Sequence, residues 1–185
     1  MSTTDTTAFL KHLLACREEL ARFASRMLGD RTEAQDVVQE SVLVAYRKYA
    51  KFDGGNFRGW MFAIVAREVM RERRNLARQL SETLAPSEID DFASLDNMDS
   101  YADVRRDPER VLDQLGDPLR QALRDLPDAQ RMVFLLRAVE GFRYRQIAEM
   151  LHIPVGTVMT HLHRARWKLR ERLGAAAGAG RKGGG

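Results

Sequence analysis

Between Thr32 and Phe52 the sequence reads "TEAQDVVQESVLVAYRKYAKF", and Val38, Val42, Ala45, Tyr49 and Phe52 fall at intervals of four, three, four and three. That spacing returns an apolar side chain to one face of an α-helix at every turn, and no strand, with its period of two, would collect them. A stripe of this kind is unstable alone, because a lone helix leaves it in water. The segment therefore demands partner helices. The flanking sequence supplies them: "FLKHLLACREELARFASRML" carries Leu10, Leu13, Leu14, Leu20, Phe23, Ala24, Met27 and Leu28 at helical spacing and stops at Gly29-Asp30. After the break at Asp53 to Gly55, "FRGWMFAIVAREVMRERRNLARQL" places Phe57, Trp60, Met61, Ile64 and Val65 on one side. Its other side carries Arg67, Arg71, Arg74 and Arg78, spaced four, three and four, so a basic stripe runs along the predicted helix.

The pattern then fails. From Glu82 to Asp113 ten acidic residues face three arginines, interspersed with Pro and Ser, which reads as a flexible acidic linker. Helical periodicity resumes in "ERVLDQLGDPLRQALRDLP", "DAQRMVFLLRAVEGF", "YRQIAEMLH" and "TVMTHLHRARWKLRERL". The expected architecture is all-α: two small helical domains, 1–80 and 113–174, joined by a linker at 81–112, with a disordered Gly/Ala-rich tail at 175–185. A composition of 44% hydrophobic but only 8% aromatic residues agrees with helices. No apolar run reaches the roughly 20 residues that span a bilayer and the polar start lacks a signal-peptide pattern, so a cytoplasmic protein without membrane insertion is expected. Cys16 has no partner for a disulfide and sits among apolar residues as a small hydrophobe.

The last predicted helix carries the most information. Val158, Leu162, Ala165, Leu169 and Leu173 form its inner face, and the polar residues gather at its start. A short helix, the turn "HIPVG" and this second helix make a helix-turn-helix, which inserts the first turns of its second helix into the DNA major groove. Thr157, Met159, Thr160, His161, His163, Arg164 and Arg166 are the candidate contacts. Arg164 has the fork to pair with guanine O6 and N7, and Thr160 or the histidines suit single contacts. His161 and His163 lie about 200° apart around a helix, so they cannot hold one metal ion. His152 is placed to end the preceding helix in a left-handed conformation. No nucleophile-base pair, metal-ligand spacing or phosphate loop occurs, so neither enzyme, metal nor cofactor is expected.

"LPDAQRMVFLLRAVEGFRYRQIAEMLHIPVGTVMTHLHRARWKLRERL" resembles the promoter −35 binding domain of bacterial sigma factors of the extracytoplasmic-function (ECF) group. "DVVQESVLVAYRKYAKF" with "NFRGWMFAIV" resembles the core-binding and −10 binding region of the same family, so the likeness runs from about Phe9 to Leu173 in the right order. The resemblance implies that Asp36, Gln39 and Glu40 meet the β′ clamp helices of core RNA polymerase, with the β flap as a second contact. It further implies that the loop Asp53, Gly54, Gly55 and Asn56 holds a base flipped from the −10 element, whose backbone the stripe from Arg67 to Arg78 follows. The −35 reading positions become Met159, Thr160, His161, His163 and Arg164. An anti-sigma factor is a further partner of the group, and the acidic linker would thread towards the RNA exit channel. The chain departs from the family pattern at His161 (often Arg), His152 (often Gly), Arg67 (often Asn) and "YRQIA" (often "YEEIA"), which leaves the promoter sequence open. The expected function is a sigma factor directing promoter-specific initiation. Alternatives are a free-standing helix-turn-helix regulator, which lacks an evident dimerisation element, and a sigma mimic titrating an anti-sigma factor, which needs no basic stripe.

Overall fold

The computed structural model describes residues 3–81 and 116–180, with side chains over 5–77 and 116–174. Every regular element among them is helical, and the chain separates into two compact units, Met1–Asp90 and Asp91–Gly185.

The first unit holds α1 (Thr3–Leu28), α2 (Arg31–Lys48) with a short 3-10 turn at Tyr49–Lys51, and α3 (Phe57–Ser81), each packed on the other two. Its punctuation is chemical. Gly29 takes φ +83° after α1, which a side chain would resist, and Asp30 then caps α2 by accepting from the Thr32 and Glu33 N–H groups at 2.7 and 2.9 Å. Asp30→Ala should cost about 1 kcal/mol and lower the thermal midpoint of this unit by several degrees in a circular-dichroism melt.

The core lies between Phe9, Leu20, Phe23 and Met27 of α1, Ala34, Val38 and Ala45 of α2, and Met61, Phe62, Val65 and Val69 of α3. The expected stripes are corrected at their margins. Leu10 and Leu14 are 49% and 68% exposed, because only two helices cover α1 and the buried arc runs through Phe9, Leu13, Cys16 and Leu20 instead. On α2, Val42, Tyr49 and Phe52 are half-buried, and the fully covered set is Ala34, Val37, Val38, Ser41 and Ala45. Ser41 tolerates burial because its hydroxyl donates to the Val37 carbonyl at 2.7 Å. Arg58 of α3 and Glu19 of α1 form an ion pair at 2.5 Å, and the same guanidinium lies over the Phe62 ring.

The second unit contains α4 (Gly116–Arg124), α5 (Asp128–Phe134), a wide turn at Leu135–Val139, α6 (Tyr144–Leu151) and α7 (Val155–Gly180). Helix α7 is the axis on which α4, α5 and α6 pack, and Leu119, Ala122, Leu123 and Leu126 meet its Ala165 and Leu169. Arg131 is 3% exposed and ties the α4–α5 junction: its Nη2 donates to the Arg124 and Leu126 carbonyls at 2.9 and 3.0 Å, with Asp128 alongside at 3.4 Å. The wide turn closes with the Glu140 N–H on the Leu135 carbonyl, five residues back. The tail expected to be disordered from 175 is helical up to Gly180, where Ala175, Ala176, Ala177 and Ala179 favour continuation over the glycines between them. The linker acids, the stretch 109–115 and residues 181–185 lie outside the described residues.

Candidate nucleic-acid interface

Two short helices joined by a tight turn dominate the second unit. The Arg143 N–H donates to the Gln146 side chain at 2.9 Å, which fixes the start of α6. At its other end His152 adopts φ 55° and ψ 44°, the left-handed conformation anticipated for it, and the Ile153 N–H reaches back to the Ala148 carbonyl at 3.1 Å. Pro154 then precedes α7, so the chain turns sharply and the two helices form a helix-turn-helix.

On α7 the inner face is Val158, Leu162, Ala165 and Leu169, all buried, with Leu173 half-buried. Met159 and His163 are exposed, while Thr157, Thr160, Arg164 and Arg166 are half-exposed. The Thr160 hydroxyl donates to the Gly156 carbonyl at 3.0 Å, so only its lone pairs remain for a base amino group. His161 is the correction: it is 7% exposed and does not reach the outer surface. Three helices pack onto α7, and their combined cover takes in this position at the edge of the apolar stripe. Burial first, and the Arg164 charge second, hold its imidazole below the ordinary histidine range, which disfavours its cationic form.

Further groups stand beside this helix that the sequence reading did not single out. Arg137, in the wide turn, donates to the Phe142 carbonyl at 3.3 Å and lies 5.1 Å from the Tyr144 ring, at the first residue of α6. Arg143 and Arg145, the sequence neighbours of Tyr144, are exposed. The first helix of such a motif crosses the DNA backbone, and a helix N-terminus with cations beside it suits a phosphate. The run "FRYRQ", basic and aromatic at a helix start, was the available signal.

In the first unit, Asp36 and Gln39 of α2 are exposed and Glu40 half-exposed, off the buried side. Leu43, 49% exposed and one turn on from Gln39 and Glu40, adds an apolar side chain to the same face. The loop Asp53, Gly54, Gly55 and Asn56 is exposed throughout and internally braced. Asp53 accepts from the Gly55 N–H at 2.9 Å, Gly54 takes φ +79°, and Asn56 caps α3 by accepting from the Gly59 N–H at 3.0 Å. Tyr49, Phe52, Phe57 and Trp60 surround the base of this loop with ring centroids 5.0 to 6.4 Å apart. This aromatic floor joins the 3-10 turn and the residue after it to the start of α3, and was not apparent as a group from the sequence.

Arg67, Arg71 and Arg74 are exposed along α3, and the Arg78 side chain lies outside the described residues. Arg71 is already paired with Glu68 at 2.7 Å, so the stripe is less cationic than its composition suggests. Among the described residues no group of three His, Cys, Asp or Glu side chains converges to hold a metal, and no helix is long and apolar enough to cross a membrane.

Comparison with known proteins matches residues 13–79 to the family described as sigma-70 region 2 and residues 116–169 to sigma-70 region 4. The chain is 29% identical over 175 residues to the ECF RNA polymerase sigma factor SigW of Bacillus subtilis, covering 91% of this chain and 90% of that protein. It is 31% identical over 169 residues to the ECF RNA polymerase sigma-E factor of Salmonella typhimurium, covering 88% and 84%. The fold is similar to that of the sigma factor RpoE of Bartonella quintana, solved in complex with the anti-sigma factor NepR, with a TM-score of 0.68 at 24% identity over 90% of this chain and 96% of that one.

Proposed function

Since the chain belongs to the extracytoplasmic-function group of the sigma-70 family and is an RNA polymerase sigma factor, we propose that its two units divide promoter recognition between them. One observation carries this reading. The region 2 and region 4 matches fall in chain order on the two compact units, and the second of them spans the helix-turn-helix whose outer face presents Met159, Thr160, His163 and Arg164.

In this assignment residues 1–80 bind core polymerase and the −10 element, 81–112 are the tether, and 113–174 read −35. Asp36, Gln39 and Glu40, with Leu43 beside them, meet the polymerase clamp through a mixed polar and apolar face. Asp53 to Asn56 receive a base taken out of the −10 stack. Unstacking costs a few kcal/mol, and the exposed Arg67 and Arg74 on the adjoining helix offset it through the phosphates. In the second unit Arg164 and Thr160 address base edges, Arg166 and Thr157 border them, and Arg137, Tyr144 and the α6 N-terminus hold the strand crossing the motif. His161 supports α7 from within. Bond making belongs to the polymerase, and this subunit supplies position and selectivity in the cytoplasm. An anti-sigma factor is the expected regulator, given that the similar RpoE was solved with one.

The deciding experiment supplies core polymerase with and without this chain on a genomic DNA library and maps transcript starts. New starts sharing two spaced elements support the reading, and an unchanged start profile overturns it. Gln39→Ala combined with Glu40→Ala should weaken association with core by roughly tenfold in a competition assay while leaving the thermal midpoint unchanged, since both are outside the core. Undiminished affinity would remove this face of α2 from the contact.

A further inference from the structure

The two tryptophans of the chain are treated differently by the fold. Trp60 stands within the ring cluster of the first unit, whereas Trp167 is 56% exposed on α7. An indole this exposed offers a partner both an apolar ring face and an N–H donor. Residues on a helix turn by about 100° and rise by about 1.5 Å, which puts Trp167 within about 20° of Thr160 and about 40° of His163. It therefore continues the outer face of α7, one turn beyond His163 and Arg164. Three residues to either side stand Arg164 and Arg170, with Lys168 adjacent, against the single acid Glu171. A surround of that charge suits a polyanion better than an apolar protein groove.

We propose that Trp167 lies against a sugar–phosphate strand at the lip of the major groove, its ring on the deoxyribose and its indole N–H donated to a phosphate. This rests on the assignment of α7 as the DNA-reading helix. The groove is about 12 Å wide. Trp167 lies about 10 Å along the axis from Thr160, so side chains at the base edges leave the indole at the groove margin. Indole carries one donor and no acceptor, which matches a phosphate oxygen and carries no base preference. Trp167 is thus a positioning residue that sets the depth and register of α7, while Arg164 specifies.

The test uses holoenzyme reconstituted from the full chain and core polymerase, on a promoter fragment from the transcript-start mapping, with phosphate-ethylation interference as the readout. Trp167→Ala should abolish interference at one phosphate bordering the −35 element and weaken occupancy by roughly fivefold to tenfold. That factor should be the same on a fragment with scrambled −35 bases, and the melting temperature should match wild type because the side chain is exposed. Trp167→Phe, with a ring but no donor, should regain part of the occupancy without the lost interference site. A wild-type footprint and occupancy in Trp167→Ala overturns the proposal, as does a defect confined to the unscrambled sequence or one that appears as weaker core association. Arg164→Ala run in parallel separates the layers: if it loses base preference while Trp167→Ala is silent, only this proposal fails, and if both are silent the assignment of α7 fails.

Discussion

Arg164→Ala is expected to reduce initiation at the chain's own promoters by tenfold to a hundredfold while leaving its affinity for core polymerase unchanged. The magnitude follows from the loss of one bidentate arginine–guanine pair, worth about 1–3 kcal/mol of discrimination. The position supports it: Arg164 is half-exposed on the outer side of α7, close to its N-terminal turns and away from the Val158, Leu162 and Ala165 face. Arg164→Lys should recover only part of the activity, because an ammonium keeps the charge and loses the planar fork. The two contributions separate further with salt. A charge-only role would leave the lysine variant close to wild type and the alanine variant defective equally on specific and scrambled DNA. Measured abortive initiation on a matched promoter pair, with the −35 bases intact or scrambled, distinguishes them. Equal loss of initiation and of core binding would take Arg164 out of the reading role.

The helix pattern was open to sequence reading because each break has a local cause. Gly29-Asp30, Asp53 to Gly55 and His152 end or cap helices through their own backbone and side-chain chemistry, and the structure places the stops there. The inner face of α7 followed from spacing alone. What spacing does not carry is the width of the covered arc, which depends on how many neighbours a helix receives. Helix α7 receives three and takes His161 inside, whereas α1 receives two and leaves Leu10 and Leu14 out. The aromatic floor beside Asp53 to Asn56 depends on Phe57 and Trp60 of α3 closing on Tyr49 and Phe52, a tertiary event with no local signature. The Arg71–Glu68 pair is different, since three-residue spacing on a helix made it foreseeable, and the carboxylate competes with a phosphate for that arginine.

Arg131 was the least legible residue, and it carries the second large prediction. In "DAQRMVFLL" it reads as one more polar position on an amphipathic helix. In the fold it is 3% exposed and its guanidinium closes the α4–α5 junction by donating to the Arg124 and Leu126 carbonyls, with Asp128 as its ionic neighbour. Arg124 is the last residue of α4 and Leu126 lies in the turn that follows, so a side chain from the next helix supplies a donor to both carbonyls. Arg131→Ala removes the donor and leaves a buried acceptor and a gap, for an expected loss of about 2–4 kcal/mol. In a unit of this size that corresponds to a drop in thermal midpoint of roughly 10–20 °C. Arg131→Met fills most of the volume without the hydrogen bonds and should fall between alanine and wild type. Arg131→Lys should also fall short, because one ammonium cannot span both carbonyls with the same geometry. Because α4 and α5 both pack on α7, loosening their junction should weaken −35 recognition with no change at any DNA-facing residue, and the defect should ease on cooling. A temperature series of promoter occupancy for Arg131→Ala beside Arg164→Ala makes the distinction: the first recovers at low temperature and the second does not.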